Sequence, residues 1–146
     1  MLPCCQRCVG VYAGATVALL CLFGLRLRPS ARFLQIHGLF LLQMVPFGCH
    51  WIPHGAVVRT VTGLLFGYGV AAFLFCWPAV RLWPVRQAGP WACLGYAAVL
   101  AANVALVLGL AVWGSAAAGL ALSLVKAVGL AALLFMAAVN LGLLEQ

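Results

Sequence analysis

Val9-Gly10-Val11-Tyr12-Ala13-Gly14-Ala15-Thr16-Val17-Ala18-Leu19-Leu20-Cys21-Leu22-Phe23-Gly24-Leu25 runs without a single charge and is closed by Arg26 and Arg28. At 1.5 Å per residue a helix of this length reaches about 25 Å. That is close to the roughly 30 Å of a bilayer's hydrocarbon core. Working outward, residues 33–49, 57–77, 91–113 and 116–144 repeat the pattern. The chain has 146 residues, 67% hydrophobic and only 6% charged, where a soluble domain carries about 25% charged residues. The expected fold is therefore all-α: a polytopic integral membrane helical bundle in a single domain, 1–146. It should have about five transmembrane helices (9–25, 33–49, 57–77, 91–113 and 116–144), or four if one segment lies at the interface. Gly114-Ser115 is so short a connection that the last two spans should form a tight hairpin. The first run is read as a retained span, since no small-residue cleavage site follows it before Arg26.

The net charge of +7 comes from seven Arg and one Lys against one acid, Glu145. With no folded polar scaffold to carry a basic face, nucleic acid is excluded as a partner. Membrane lipids are the expected partners instead, because the arginines sit between the apolar runs. With one carboxylate in the chain, paired-carboxylate chemistry is excluded and a hydrolase is not expected. Arg26, Arg28, Arg32, Arg81 and Arg86 fall in connections that share one side. Only Arg7 and Arg59 fall on the other. The positive-inside rule then puts the N-terminus outside and the C-terminus in the cytoplasm. Trp51, Trp77, Trp83, Trp91 and Trp113 lie near span ends, as aromatic belts do. Pro29, Pro53, Pro78, Pro84 and Pro90 lie in or beside connections, and Pro46 should kink or end the second span. Gly10-x-x-x-Gly14 and Gly63-x-x-x-Gly67 are read as helix-packing faces. No repeat of 20–50 residues is visible.

The chemistry-bearing residues gather in two clusters. Cys5-Gln6-Arg7-Cys8 is a C-x-x-C at the start of the first helix, with Cys4 beside it. Two sulfurs at that spacing can share a metal ion or a disulfide. A helix N-terminus and the neighbouring Arg7 both favour the thiolate. The second cluster, Cys49-His50-Trp51-Ile52-Pro53-His54, follows the second span and should lie on the same side. Pro53 disfavours helical geometry before it, so His50 and His54 would act from a loop. Together Cys5, Cys8, Cys49, His50 and His54 would make a mixed sulfur/nitrogen site for a transition metal (zinc, copper or iron), or supply a redox disulfide. Cys21, Cys76 and Cys93 read as buried structural thiols.

Three further polar residues stand out. Lys126 lies inside the fifth span, about ten residues or 15 Å from its outer end, near the bilayer midplane. No acid of the chain can reach it, which leaves backbone carbonyls, Asn103, Gln43, water, an anionic ligand or another subunit as its partner. Snorkelling to the surface is the alternative. Arg59 opens the third span near both clusters and would contact lipid phosphate or orient a ligand.

Leu2-Pro3-Cys4-Cys5-Gln6-Arg7-Cys8-Val9-Gly10-Val11-Tyr12-Ala13-Gly14 resembles the L-P-x-C-x-R-C-x-G-I-Y-x-G signature of a prokaryotic membrane family, domain of unknown function 2085. Arg59-Thr60-Val61-Thr62-Gly63-Leu64-Leu65-Phe66-Gly67 resembles that family's R-x-x-T-G-x-x-x-G segment. The resemblance covers about residues 2–70. It implies a small multi-span protein of the cell (inner) membrane and emphasises Cys5, Arg7, Cys8 and Arg59, but supplies no reaction. Where family members tend to carry an acidic residue near the end of the second span, this chain reads Pro46-Phe47-Gly48-Cys49-His50.

Three functions follow as expectations. The first is an outer-face Cys/His site for metal binding or thiol redox. The second is a non-catalytic accessory or assembly subunit of a larger membrane complex. The third is a small transporter using Lys126 and Asn103, which the missing repeat disfavours. Enzymatic activity is not required by any of them.

Overall fold

The computed structural model describes residues 5–28, 30–49, 51–82, 86–87, 89–113 and 116–144. The readings placed on Cys4, Pro29, His50, Trp83, Pro84, Gly114-Ser115 and Glu145 lie outside them. The apolar runs become helices: α1 (Gln6–Leu25), α2 (Ala31–Leu42), α3 (Met44–Gly48), α4 (Ala56–Leu82), α5 (Pro90–Trp113) and α6 (Ala116–Leu144). Two short strands, β1 (Leu27–Arg28) and β2 (Arg86–Gln87), pair in parallel. The fold is an all-α membrane bundle. Four described helices, α1, α4, α5 and α6, are long and apolar enough to cross a bilayer.

The second expected span, 33–49, is not one helix. It breaks at Gln43 into α2 and α3. Pro46 explains this: its ring lacks an N–H for the Leu42 carbonyl and would clash with it. At the break the Gln43 side chain donates to the Phe40 carbonyl at 3.0 Å and, across to α4, to the Thr62 carbonyl at 2.8 Å. Even broken, α2–α3 runs the length of α4. Gly38 lies by Phe73, Leu41 by Gly69, and Gln43 by Thr62.

A second proline is treated differently. Pro78 sits inside α4 and is fully buried, so the helix continues past the expected end at 77. The carbonyl that Pro78 cannot serve belongs to Leu74, and the Asn140 side chain of α6 donates to it at 2.8 Å. A neighbouring helix thus satisfies the freed acceptor, as a bilayer demands.

Close backbone approach joins α1 to α4. A Cβ on Gly10 would strike the Thr60 carbonyl and one on Gly63 the Arg7 carbonyl. Gly14 is stopped by the Leu64 carbonyl and Gly67 by the Val11 carbonyl. These contacts are reciprocal at one constant spacing: 7 matches 60, 10 matches 63, 11 matches 64 and 14 matches 67. The two helices therefore run side by side in the same direction about a pseudo-two-fold axis. The axis continues through the next elements. Leu27 pairs with Arg86 and Arg28 with Gln87 at a longer offset, and at the offset of this strand pair His37 of α2 meets Tyr96 of α5 at 2.9 Å. In keeping with a two-fold, α2 packs on α4 while α5 packs on α1.

The core fits this description. Ala15, Ala18, Leu22, Leu64, Tyr68, Ala71, Ala72 and Phe75 are buried along the α1–α4 seam. Outside the two related hairpins, α6 runs parallel to α1 and α4 and packs mainly on them. Among the described residues α6 packs more on α1 than on α5. Gly129 explains the preference, because it lets α6 approach the Tyr12 carbonyl and Thr16 of α1.

A candidate thiol site at the N-terminal face

Cys5 is the residue before the first turn of α1, extended at φ −52° and ψ 125°, and exposed. Cys8 follows one turn later and is half-buried. The backbone amide of Cys8 is the main cause that holds the Cys5 thiol below its usual range. Partial burial opposes it, and the Arg7 amide, the Cys8 thiol and the Arg7 charge add to the lowering. These are the free donors and positive end of a helix N-terminus acting on a thiolate.

Arg7 ties this helix end to the second cluster. Its Nη2 donates to the Phe47 carbonyl at 2.9 Å and contacts His54 Nε2 at 2.8 Å. A guanidinium only donates, so Nε2 accepts. The other ring nitrogen, Nδ1, then carries the proton and donates to the Ile52 carbonyl at 2.6 Å. The His54 ring also stands edge-on to Phe47, with centroids 5.5 Å apart. Arg7 Nε is buried and has no hydrogen-bond partner among the described residues. The expectation that both clusters share one face is met at Arg7, Phe47 and His54.

The metal-ligand set is not assembled in the same way. Both His54 nitrogens are engaged, and the lone pair a metal would need is held by a cation. Cys49 ends α3 and is exposed. Among the described residues there is no group of three or more His, Cys, Asp or Glu able to hold a metal ion. Arg59 is exposed in the first turn of α4.

Lys126 and Asn103 lie on different helices, α6 and α5. Asn103 is buried at 6% exposure, and its amide is directed at the Tyr68 hydroxyl (3.4 Å) and the Ala13 carbonyl (3.5 Å). It pins α5 to α1 and α4. Lys126 is one turn before Gly129, which sits against Tyr12. Since α6 parallels α1, the Lys126 backbone is only about one turn, roughly 5 Å, below the level of Arg7. The α6 helix begins well above the start of α1, so Lys126 stands nearer the level of the α1 start than a count along α6 alone gives. It occupies the stripe Leu122, Lys126, Gly129 and Met136, whose other three members are buried, and its long side chain leans toward the N-terminal face.

Three polar residues escaped the sequence reading. His37 is 2% exposed and donates from Nδ1 to the Phe33 carbonyl at 2.8 Å, while Nε2 accepts from Tyr96. Tyr96 in turn packs edge-on against Tyr68, centroids 5.7 Å apart. A histidine within an apolar run is a signal in itself, though not one that names its partner. Asn140 carried no such signal. The duplication was also written in the sequence, as G-x-x-x-G-x-x-V-A at 10–18 and 63–71 and as R-L-x-P at 26–29 and 81–84. Its spacing of just over 50 residues falls outside the window of common repeats. Comparison of the chain with protein-family models, curated proteins and solved structures finds no match.

Proposed function

We propose that this chain is a membrane dithiol protein whose Cys5 and Cys8 exchange electrons with a disulfide partner at the outer face of a prokaryotic cell membrane. The observation that carries this reading is Cys5 itself: exposed, at the start of α1, and shifted toward thiolate by the Cys8 amide. The Cys5 thiolate attacks one sulfur of the partner disulfide, and the other sulfur leaves as a thiolate and takes a proton. Cys8 then loses its proton and attacks Cys5 in the mixed disulfide, releasing the second partner thiol. Two electrons pass to the partner, and the protein ends with a Cys5–Cys8 disulfide. The oxidised pair runs the same steps backwards on a dithiol. Arg7 holds the site against the Phe47–His54 segment and favours the thiolate. Cys5, Arg7 and Cys8 are also residues that carry the resemblance to domain of unknown function 2085.

Trapping tests this. In Cys8→Ser the mixed disulfide with a small disulfide such as oxidised glutathione should persist on Cys5, while Cys5→Ser should form little. Equal trapping in both variants would overturn the assignment of Cys5 as the attacking thiol. Zinc, copper or iron retained by the wild type and lost in Cys5→Ser/Cys8→Ser would replace the redox reading with a metal site.

A further inference from the structure

At the opposite face the two halves of the duplication differ. Between α1 and α5 lies a cavity of about 370 Å3, lined by apolar groups that include Leu20, Gly24, Leu25, Gly95 and Val99. A Cβ added at Gly24 or Gly95 would meet nothing within 4 Å. In the other half, between α4 and α2, the equivalent positions carry Phe73 for Leu20, Trp77 for Gly24, Ile36 for Gly95 and Phe40 for Val99. There Gly38 has the Phe73 ring 3.9 Å from its would-be Cβ. On the α1–α5 side small residues leave the groove open, while on the α4–α2 side the sequence places larger residues at the equivalent positions. Leu20 (67% exposed) and Leu25 (44%) place it on the lipid-facing flank.

The lower end of this groove meets the chain's main concentration of charge. Arg26 directly follows Leu25 and is exposed. It holds φ 48°, the one positive-φ residue other than glycine among those described. Its N–H caps α1 at the Leu22 and Phe23 carbonyls, a task glycine performs without the side-chain strain of this conformation. The parallel pairing of β1 with β2 sets the backbones of Arg28 and Arg86 on adjacent strands, and Arg32 is exposed in the first turn of α2. Arg81 ends α4 and reaches toward the Leu143 carbonyl at 3.5 Å. Against these five arginines the chain has one acid, Glu145.

We propose that this groove binds an anionic phospholipid, with one acyl chain along Gly24 and Gly95 and the phosphate beside Arg26, where the arginine-bearing connections meet. The apolar lining and the lipid-facing position select a lipid over a soluble phosphate. The charge selects an anionic headgroup over a zwitterionic one.

Native mass spectrometry of the detergent-purified chain tests the site, using phosphatidylglycerol and phosphatidylcholine of identical acyl chains, with inorganic phosphate as competitor. The wild type should retain phosphatidylglycerol preferentially. Arg26→Gly, which relieves the strained φ and so preserves the fold, should bind it about five-fold more weakly. Gly95→Leu fills the groove without touching a charge and should lose most of the preference. Circular dichroism of each variant shows that the helices remain. Equal retention of the two lipids, wild-type binding by Gly95→Leu, or displacement by millimolar inorganic phosphate would each overturn the proposal.

Discussion

Gly10→Ala is the sharpest test of the duplicated seam. The added Cβ would lie 2.8 Å from Leu64 N and 3.2 Å from the Gly63 carbonyl carbon, and closer still to the Thr60 oxygen. All three are backbone atoms, which cannot swing aside as a side chain would. Restoring ordinary contact requires α1 and α4 to separate by roughly 1 Å, a gap that forfeits a quarter to a half of each dispersion contact along the seam. Overpacking of this kind costs about 1–3 kcal/mol, and rigid neighbours place it in the upper half of that range. Replacing glycine by alanine inside a helix returns about 1 kcal/mol. The net loss is about 1–2 kcal/mol. Gly24→Ala is the control, because its Cβ meets nothing and only the helix-propensity gain remains. Unfolding both variants in mixed micelles of dodecyl maltoside and increasing dodecyl sulfate, followed by circular dichroism, should separate them by about 2–3 kcal/mol. A Gly10→Ala protein as stable as Gly24→Ala would refute the close-packed seam and the pseudo-two-fold built on it. Because Gly63 makes the reciprocal contact, Gly63→Ala should resemble Gly10→Ala, and the double variant should lose less than the sum.

Other predictions follow from single contacts. The iodoacetamide reactivity of Cys5 should rise with pH at a midpoint below the ordinary thiol value of 9.0, and Arg7→Met should move it upward; an unshifted midpoint in the wild type counts against the thiolate site. The sign for stability is that of a depressed acid. The thiolate's contribution is complete above the unfolded value and is lost as pH falls through the folded one. Asn140→Leu should destabilise by about 1–3 kcal/mol, because it orphans the Leu74 carbonyl beside Pro78. A neutral result in the same unfolding assay would mean that Leu74 finds another donor. Tyr96→Phe removes the hydroxyl that serves buried His37 and should also cost about 1–3 kcal/mol, with His37→Phe/Tyr96→Phe recovering part of it.

Much of this protein is legible in its amino-acid order alone. The all-α membrane fold follows from uncharged runs longer than a turn or two of any soluble amphipathic helix, and the bilayer leaves such runs few alternatives. The arginine clusters assigned connections to faces, and the β1–β2 pairing and the Arg7–Phe47–His54 contacts put the same connections together. The placing of Cys5 and Cys8 at the start of α1 was legible because a helix start and a three-residue spacing are local facts. What the tertiary structure alone decided depends on distances between helices. Whether Pro46 breaks a helix and Pro78 does not is settled by a donor, Asn140, sixty-two residues beyond Pro78. The depth of Lys126 depends on how α6 slides against α1, which Gly129 and Tyr12 fix. His54 could be named as a ligand from its identity, but only the fold placed a guanidinium on its lone pair. The Gly-x-x-x-Gly segments said that some helices approach closely. That they approach each other, about an axis that also carries His37 and Tyr96, required the packed chain, because small residues permit contact without choosing the partner.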